Sequence, residues 1–368
     1  MALTIETVDT LDRIDRRTYE AFHAVNGAPV FYDWRMLLAA ERSPLLPAER
    51  TFYLCARDGG NLVGFLPAYL QRLSVVDPLG LLARTAGVHD TGGEFGLFSH
   101  MMHCWETTIP CLGRSDVREQ LIAQLRNLGN RVGASYAGLL NVGDVALLSG
   151  LTESGLTVRP MVDRYVLDLS RFDDFDHLVR ELPSDGRHEM NRQLRKFAAS
   201  GATGRVLAPP YGDVLERQCQ LCFETTARKG TPHYFPAEPL VRFVRHCGDV
   251  VRLVVIELEG HLVGGGICYE QGDTFHVWSA GVTYDQSEFS PYTIFFATAY
   301  RYAFERGLRH VEGGRLNERI KLRLGLAPVT LYSALVRIPS SRRGEVNSRT
   351  ERRSDECAEM GWDKALVD

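Results

Sequence analysis

The 368-residue sequence lacks most of the features that mark the simplest functions. Its eight cysteines (Cys55, Cys104, Cys111, Cys219, Cys222, Cys247, Cys268 and Cys357) are scattered without framework spacing. That excludes a disulfide-stapled secreted scaffold and fits a reduced cytoplasm. No stretch approaches the ~18 uninterrupted apolar residues of a membrane span. The opening MALTIETVDTLDRIDRRTYEAF alternates charge with apolar residues and has no signal-peptide core, so a cytoplasmic location is expected. A net charge of −4 excludes a dedicated nucleic-acid coat, and no DNA partner is expected, although a local basic groove stays open. G-x-S-x-G is missing, as is a convincing Cys–His pairing, which removes the main hydrolase readings. Cys219-x-x-Cys222 has no second pair, and Val214, Leu215, Cys219, Cys222 and Phe223 keep helical spacing. Buried packing is therefore favoured over zinc, and no metal site is expected.

What is present is an internal echo. FYLCARDGGNLVGFLPAYLQ (52–71) and VRLVVIELEGHLVGGGICYEQG (251–272) follow one plan, roughly 200 residues apart. In each, an apolar strand runs into an acidic residue and glycine, then Leu-Val-Gly, then a second apolar strand. Asp58-Gly59-Gly60 and Glu259-Gly260 read as hairpin turns, because glycine accepts the positive φ such turns need. A helical stretch precedes each hairpin (DWRMLLAAERS, AEPLVRFVRHC), and a longer one follows (DVREQLIAQLRNLGNRVG, SPYTIFFATAYRYAFERG). Ser115 is placed to cap the first of the longer pair, and Gly307 to stop the second. A strand then closes each unit, SYAGLLNV in one and LRHVEGG in the other.

The pattern predicts an α/β protein with mixed, mostly antiparallel sheets flanked by helices, built from a duplicated unit. The expected divisions are an N-terminal domain over 1–160, a C-terminal domain over 161–338 and a polar, mobile tail over 339–368. Within the second domain, DRYVLDLS reads as a strand, and helix is expected on both sides of Pro183–Gly186. From Arg187 to Arg205 the segment carries Arg187, Arg192, Arg195, Lys196 and Arg205 against Glu189 alone. Such a run is either a solvated helix face or a cradle for phosphate, with Arg187 and Arg192 as the phosphate contacts.

In order, RHEMNRQLRKFAASG, GTPHYFPAEPLVRFV, the second hairpin, YRYAFERGLRHVEGG and IKLRLGLAPVTLYSA resemble the tandem GNAT fold. More specifically, they are similar to the Fem-type peptidyltransferases and the related peptidoglycan biosynthesis/recognition acyltransferases. The resemblance covers about half of the chain, and the internal echo extends it to the first half. It implies transfer of an acyl or aminoacyl group to an amine without a metal, with the N-terminal domain holding the acceptor in a degenerate GNAT unit. It implies no tightly bound cofactor. The donor would be an aminoacyl-tRNA or an acyl thioester, with coenzyme A possible. AGVTYDQSEFSPYTIFF has no G-x-G at the helix start where coenzyme A users hold pyrophosphate, and this favours tRNA. The acceptor would be the amine of a small metabolite or cell-wall precursor. The alternatives are a thioester-dependent GNAT enzyme and a non-catalytic ligand-binding module of the same fold.

Amide formation needs a proton acceptor and donors aimed at an oxyanion. The resemblance gives Lys321, in IKLRLG, the role of holding the donor ester or the oxyanion; the alternative is a surface lysine. Glu312 ends a strand before Gly313 and Gly314, where backbone permits close approach, and could orient or deprotonate the amine; it could equally pair with Arg315 or Arg319. Tyr332 is a candidate proton donor or a packed strand residue. His276 and Trp278 share a strand face directed at cleft or core. Tyr234 and Tyr292 match family positions, and Arg315 joins the cations of the substrate wall.

Overall fold

The computed structural model describes residues 3–339, apart from 78 and 91. Residues 1–338 form one compact unit. The polar segment expected over 339–368 lies outside the described residues from 340 onward.

The first half runs β1 (Thr4–Val8), α1 (Arg16–Asn26), α2 (Trp34–Arg42), β2 (Arg50–Asp58), β3 (Asn61–Arg72), the short α3 (Leu73–Val76) and α4 (Leu81–Ala86), and β4 (Phe95–Ser99). It continues with α5 (Ser115–Val132), β5 (Tyr136–Val142), α6 (Val145–Glu153) and β6 (Thr157–Asp168). The second half repeats the plan after α7 (Phe175–Glu181) and α8 (Ser184–Ala199), through β7 (Thr203–Leu207), α9 (Val214–Arg228), α10 (Ala237–Cys247), β8 (Val251–Leu258), β9 (His261–Gln271) and β10 (Thr274–Val282). Then come α11 (Pro291–Glu305), β11 (His310–Arg315), α12 (Glu318–Arg323) and β12 (Ala327–Arg337). Each helix placed by periodicity is found. Val117, Leu121, Leu125 and Leu128 of α5 are buried, as are Phe295, Phe296, Ala299 and Ala303 of α11. Fully burying such side chains is worth about 1.5–3 kcal/mol each, so the apolar stripe fixes which face of the helix meets the sheet. Both hairpins turn on two residues of positive φ, Gly59-Gly60 and Glu259-Gly260, the geometry that matches the twist of the flanking strands. Ser115 is not a cap: it is the first residue of α5, and Arg114 stands in the capping position, paired to Asp116 and Asp58.

All twelve strands among the described residues form one sheet, in the order β1-β2-β3-β4-β5-β12-β6-β11-β10-β9-β8-β7. The order is palindromic under exchange of the halves, with β12 and β6 at the centre. Each half's last strand therefore crosses over: β12 pairs with β5 of the first half, and β6 pairs with β11 of the second. The expected boundary at 160–161 falls within β6. Pairing is antiparallel except between β4 and β5 and between β10 and β11, which α5 and α11 connect as crossovers. One apolar core, containing residues of α1, α2, α9 and α10, runs continuously across both halves on one face. Separate cores lie under α5 and α6 and under α7 and α11. Cys219 and Cys222 of α9 are fully buried, and burial pushes both thiols up, Cys222 to about 11.

Candidate active site

The site forms where β11 breaks its pairing with β6. The register shifts between Glu312 and Arg315, so Gly313 and Gly314 bulge out of the ladder. Gly314 has φ +71, and a Cβ there would sit 3.2 Å from the Trp105 ring. A Cβ on Gly313 would meet Leu326 at 2.4 Å. The close approach that the two glycines permit is thus taken by Trp105 and Leu326. Leu316 and Asn317 follow, both with positive φ, a conformation costing about 1–3 kcal/mol per non-glycine residue. Residues 316–320 are exposed, whereas Glu312, Arg315 and Lys321 on either side are buried.

Glu312 is 2% exposed. One carboxylate oxygen accepts from its own bulge, the Gly314 N–H at 3.1 Å, and the other lies 3.1 Å from Arg164 Nη1 of β6. The same Nη1 is 3.3 Å from Glu106, so one guanidinium serves two carboxylates. Burial pushes the Glu312 carboxyl up to about 7; Arg164 opposes the rise and Glu106 adds to it. Burial works against the charge on Arg164, but Glu312 and Glu106 hold its pKa above the ordinary value.

Lys321 is also 2% exposed. It faces inward from α12, donates to the Arg315 carbonyl at 2.7 Å, and lies 5.2 Å from the Tyr165 ring centroid. Burial lowers its ammonium to about 7, while Glu312 pulls the other way. A buried acid and a buried amine that both titrate near neutrality stand together at one strand end. Groups tuned in this way are what proton transfer at physiological pH requires.

Arg315 braces the site. Its guanidinium donates to Asn141 Oδ1 at 2.9 Å, to the Met102 carbonyl at 3.0 Å and to the Tyr234 hydroxyl. Asn141 lies in β5, opposite a register shift in the β5–β12 ladder, so the bulged strands of the two halves meet through this bond. Tyr234 stacks on His103 at 4.3 Å, and its carbonyl bonds the His103 ring at 2.7 Å. Trp278 is buried in the shared core and donates to the His103 carbonyl at 3.1 Å. His276, two residues earlier in β10, is also buried, with Nδ1 unpartnered among the described residues; burial lowers its pKa to about 4, so it is neutral at pH 7. Arg315, Tyr234 and Trp278 are thus one buried assembly behind Glu312 and Lys321.

The remaining candidates stand apart from it. Tyr332 is half-buried in β12, opposite Val142 and Pro160, and forms no hydrogen bond among the described residues. Tyr292, at the start of α11, accepts from Asn317 at 3.3 Å, which links it to the exposed rim. Arg187 donates to the Arg180 carbonyl at 2.7 Å, and Arg192 makes a two-point pair with Glu189 on the surface of α8. Sequence reasoning missed Arg164, Glu106, Asn141 and His103. Each acts on a residue of the second half from the first half or from the crossing strand β6, so no local motif contains them.

Comparison with known proteins bears on the fold that carries these residues. Residues 184–322, from α8 to α12 and including Glu312 and Lys321, match the family described as acetyltransferase (GNAT) domain. No curated protein matches the sequence. Among solved structures, FemX superposes with a TM-score of 0.59 at 11% identity, over 89% of this chain and 96% of that one. A tandem GNAT protein from the clavulanic acid biosynthesis pathway gives 0.54 at 14% identity, over 92% and 100%. The C-terminal domain of a putative lysylphosphatidylglycerol synthetase from Agrobacterium fabrum gives 0.55 at 12% identity, over 87% and 90%. At these identities the likeness is one of fold: the chain has the Fem-like tandem GNAT architecture.

Proposed function

We propose that this chain, whose second half is a GNAT acyltransferase domain, forms an amide by moving an activated acyl group onto an amine. The observation behind this reading is that buried Glu312, at the bulge of β11, and buried Lys321, on α12, are near enough to influence each other's ionisation, and that burial shifts both towards about 7. The acceptor ammonium loses a proton to Glu312, and the free amine attacks the donor carbonyl. Lys321, in its protonated form, faces the oxyanion. The attack forms the C–N bond, and collapse breaks the C–O bond of an ester donor, or the C–S bond of a thioester, while the leaving oxygen or sulfur takes up the proton that the new amide nitrogen loses. Net, one proton is released.

An aminoacyl-tRNA donor is favoured, with the amine of a small metabolite or cell-wall precursor as acceptor. The Fem-type resemblance supports this, and so does the start of α11. There Pro291 has no N–H to offer, Thr293 N–H already donates to Ser290 Oγ, and Ser290 N–H is held by Gln193 at 2.7 Å. A pyrophosphate would find few free donors there. A thioester donor is the second reading. It is favoured by the first half, where Leu112 and Gly113 have positive φ before α5, which has no side-chain cap.

The test is incubation of the purified protein with a labelled mixed aminoacyl-tRNA pool and an amine-containing metabolite extract, with and without ribonuclease. The expected result is ribonuclease-sensitive label in a small product, strongly reduced in Lys321→Ala. Transfer from acyl-coenzyme A alone would move the donor assignment to the second reading. Transfer untouched by both Lys321→Ala and Glu312→Gln would overturn the site.

A further inference from the structure

A cleft of about 430 Å³ opens beside Glu106, lined by the loop after α1 (Asn26–Pro29), by Glu106–Cys111, by Arg118 and by the turn from β5 into α6 (Gly143, Asp144). Its chemistry is two-signed. Glu106 presents a carboxylate that is 35% exposed, and both of its contacts to Arg164, 3.3 and 3.5 Å, are long for a charge-assisted pair. It therefore keeps acceptor capacity for a second cation. Arg118 is the counterpart: it has no ion pair among the described residues, and its Nε is buried without a partner. Its place is built into the fold, because a Cβ on Gly150 would come within 2.7 Å of the guanidinium. Gly143 likewise leaves the cleft wall thin over Arg164, whose Nε would lie 3.6 Å from a Cβ there. Glu106 is thus separated from Glu312 by a single guanidinium.

We infer that this cleft binds the acceptor as a small zwitterion, an amino acid or short peptide, with its ammonium on Glu106 and its carboxylate on Arg118. The inference rests on the amide-forming reading above and adds the class of acceptor. An ammonium docked on Glu106 competes for the carboxylate that Arg164 now holds, and it brings the reacting nitrogen to the side of the sheet where Glu312 accepts a proton. Arg118 rejects amines that lack an anionic group. A peptide or amino acid fills a space of this size, whereas a long polymer must present its end.

The experiment is calorimetric titration of the full chain, without donor, with the twenty amino acids and glycylglycine. n-Propylamine, N-acetylglycine and ADP serve as cation-only, anion-only and diphosphate probes. At least one zwitterion is expected to bind, with the single-charge probes at least tenfold weaker. Glu106→Gln and Arg118→Gln should each weaken that zwitterion at least tenfold, and Arg118→Lys should restore part of the loss. Circular dichroism spectra matching the parent keep the variants interpretable. No binding from the whole panel overturns the inference, as does binding indifferent to Glu106→Gln. ADP binding that depends on Arg118 and not on Glu106 also overturns it and assigns the cleft to a donor diphosphate. Transfer activity separates the two claims. If transfer proceeds and Glu106→Gln leaves the KM for the acceptor unchanged, this inference fails while amide formation stands. If zwitterions bind as described and no donor ever transfers, the cleft stands and the enzymatic reading fails.

Discussion

The two halves of this molecule are built alike and finished differently at one strand. β5 and β11 each follow a crossover helix, each pairs in parallel with its hairpin sheet, and each has a register shift facing the central strand pair. In β5 the irregularity holds Asn141, neutral, with its amide donating to the Met102 and Cys104 carbonyls. In β11 it holds Glu312, two glycines and Arg315. The bulge alone is therefore not the site, since both halves have one. What differs is that the second half places ionisable groups where burial detunes them, and the first half lends the partners that hold them in place, charged Arg164 for Glu312 and neutral Asn141 for Arg315. Asn141 accepts from Arg315, so the bulge of the first half braces that of the second.

The comparison breaks most sharply at the charges. If the β11 bulge does the chemistry, Glu312→Gln should lower transfer by about 10²–10⁴-fold, the usual worth of a positioned general base. The parallel change in the first half, Asn141→Asp, leaves the base in place and should act through stability and orientation. The parent rate should be bell-shaped in pH with both limbs near 7, as a property of the pair. Glu312→Gln should remove the acid limb and Lys321→Ala the alkaline one. Arg164→Met should move the acid limb to higher pH, because a carboxylate that loses its cation holds its proton more tightly.

Stability should show the same asymmetry with a sign that can be worked out. The Glu312 pKa is raised from 4.5 towards 7, so its contribution is full below 4.5 and is lost as pH rises through 7. The Lys321 pKa is lowered from 10.5 towards 7, so its contribution is full above 10.5 and is lost as pH falls through 7. Relative to the parent, the Tm of Glu312→Gln should gain with rising pH across that window, and the Tm of Lys321→Met with falling pH. The smallest effect concerns the hairpins. Gly59 and Glu259 hold the same turn position with φ +58 and +52. Gly59→Ala should cost about 1 kcal/mol and Glu259→Gly should be neutral to slightly stabilising, because only glycine adopts this conformation without strain. Thermal unfolding of the two variants would measure it.

These contrasts also mark what could be read in the sequence. The hairpins, the helices before and after them and the closing strands follow from turn residues and periodicity, which are local. Glu312 could be named because glycines and charge between apolar strands are anomalous in a linear string, and Lys321 because IKLRLG carries the family resemblance. Their companions could not. Arg164 sits in DRYVLDLS and Glu106 in CWETTIP, neither of which carries a motif; they matter only because β6 crosses beside β11. The pairing of β12 with β5 joins residues nearly 200 positions apart, and no periodicity encodes it. Ser115 shows a different limit: a good capping residue lost its role when Arg114, held by two carboxylates, took the helix start one position earlier.

The exchanged central strands have a consequence for how the molecule comes into being. Residues 327–337 are the last strand among the described residues, yet they fill the middle of the sheet. Until they arrive, β5 and β6 each present an open edge, the kind of surface on which strands of other chains add. A ribosome that stalls before this point leaves a product with most of its helices and no joined sheet. Assembly of the candidate site's surroundings is thereby tied to the arrival of residues 327–337.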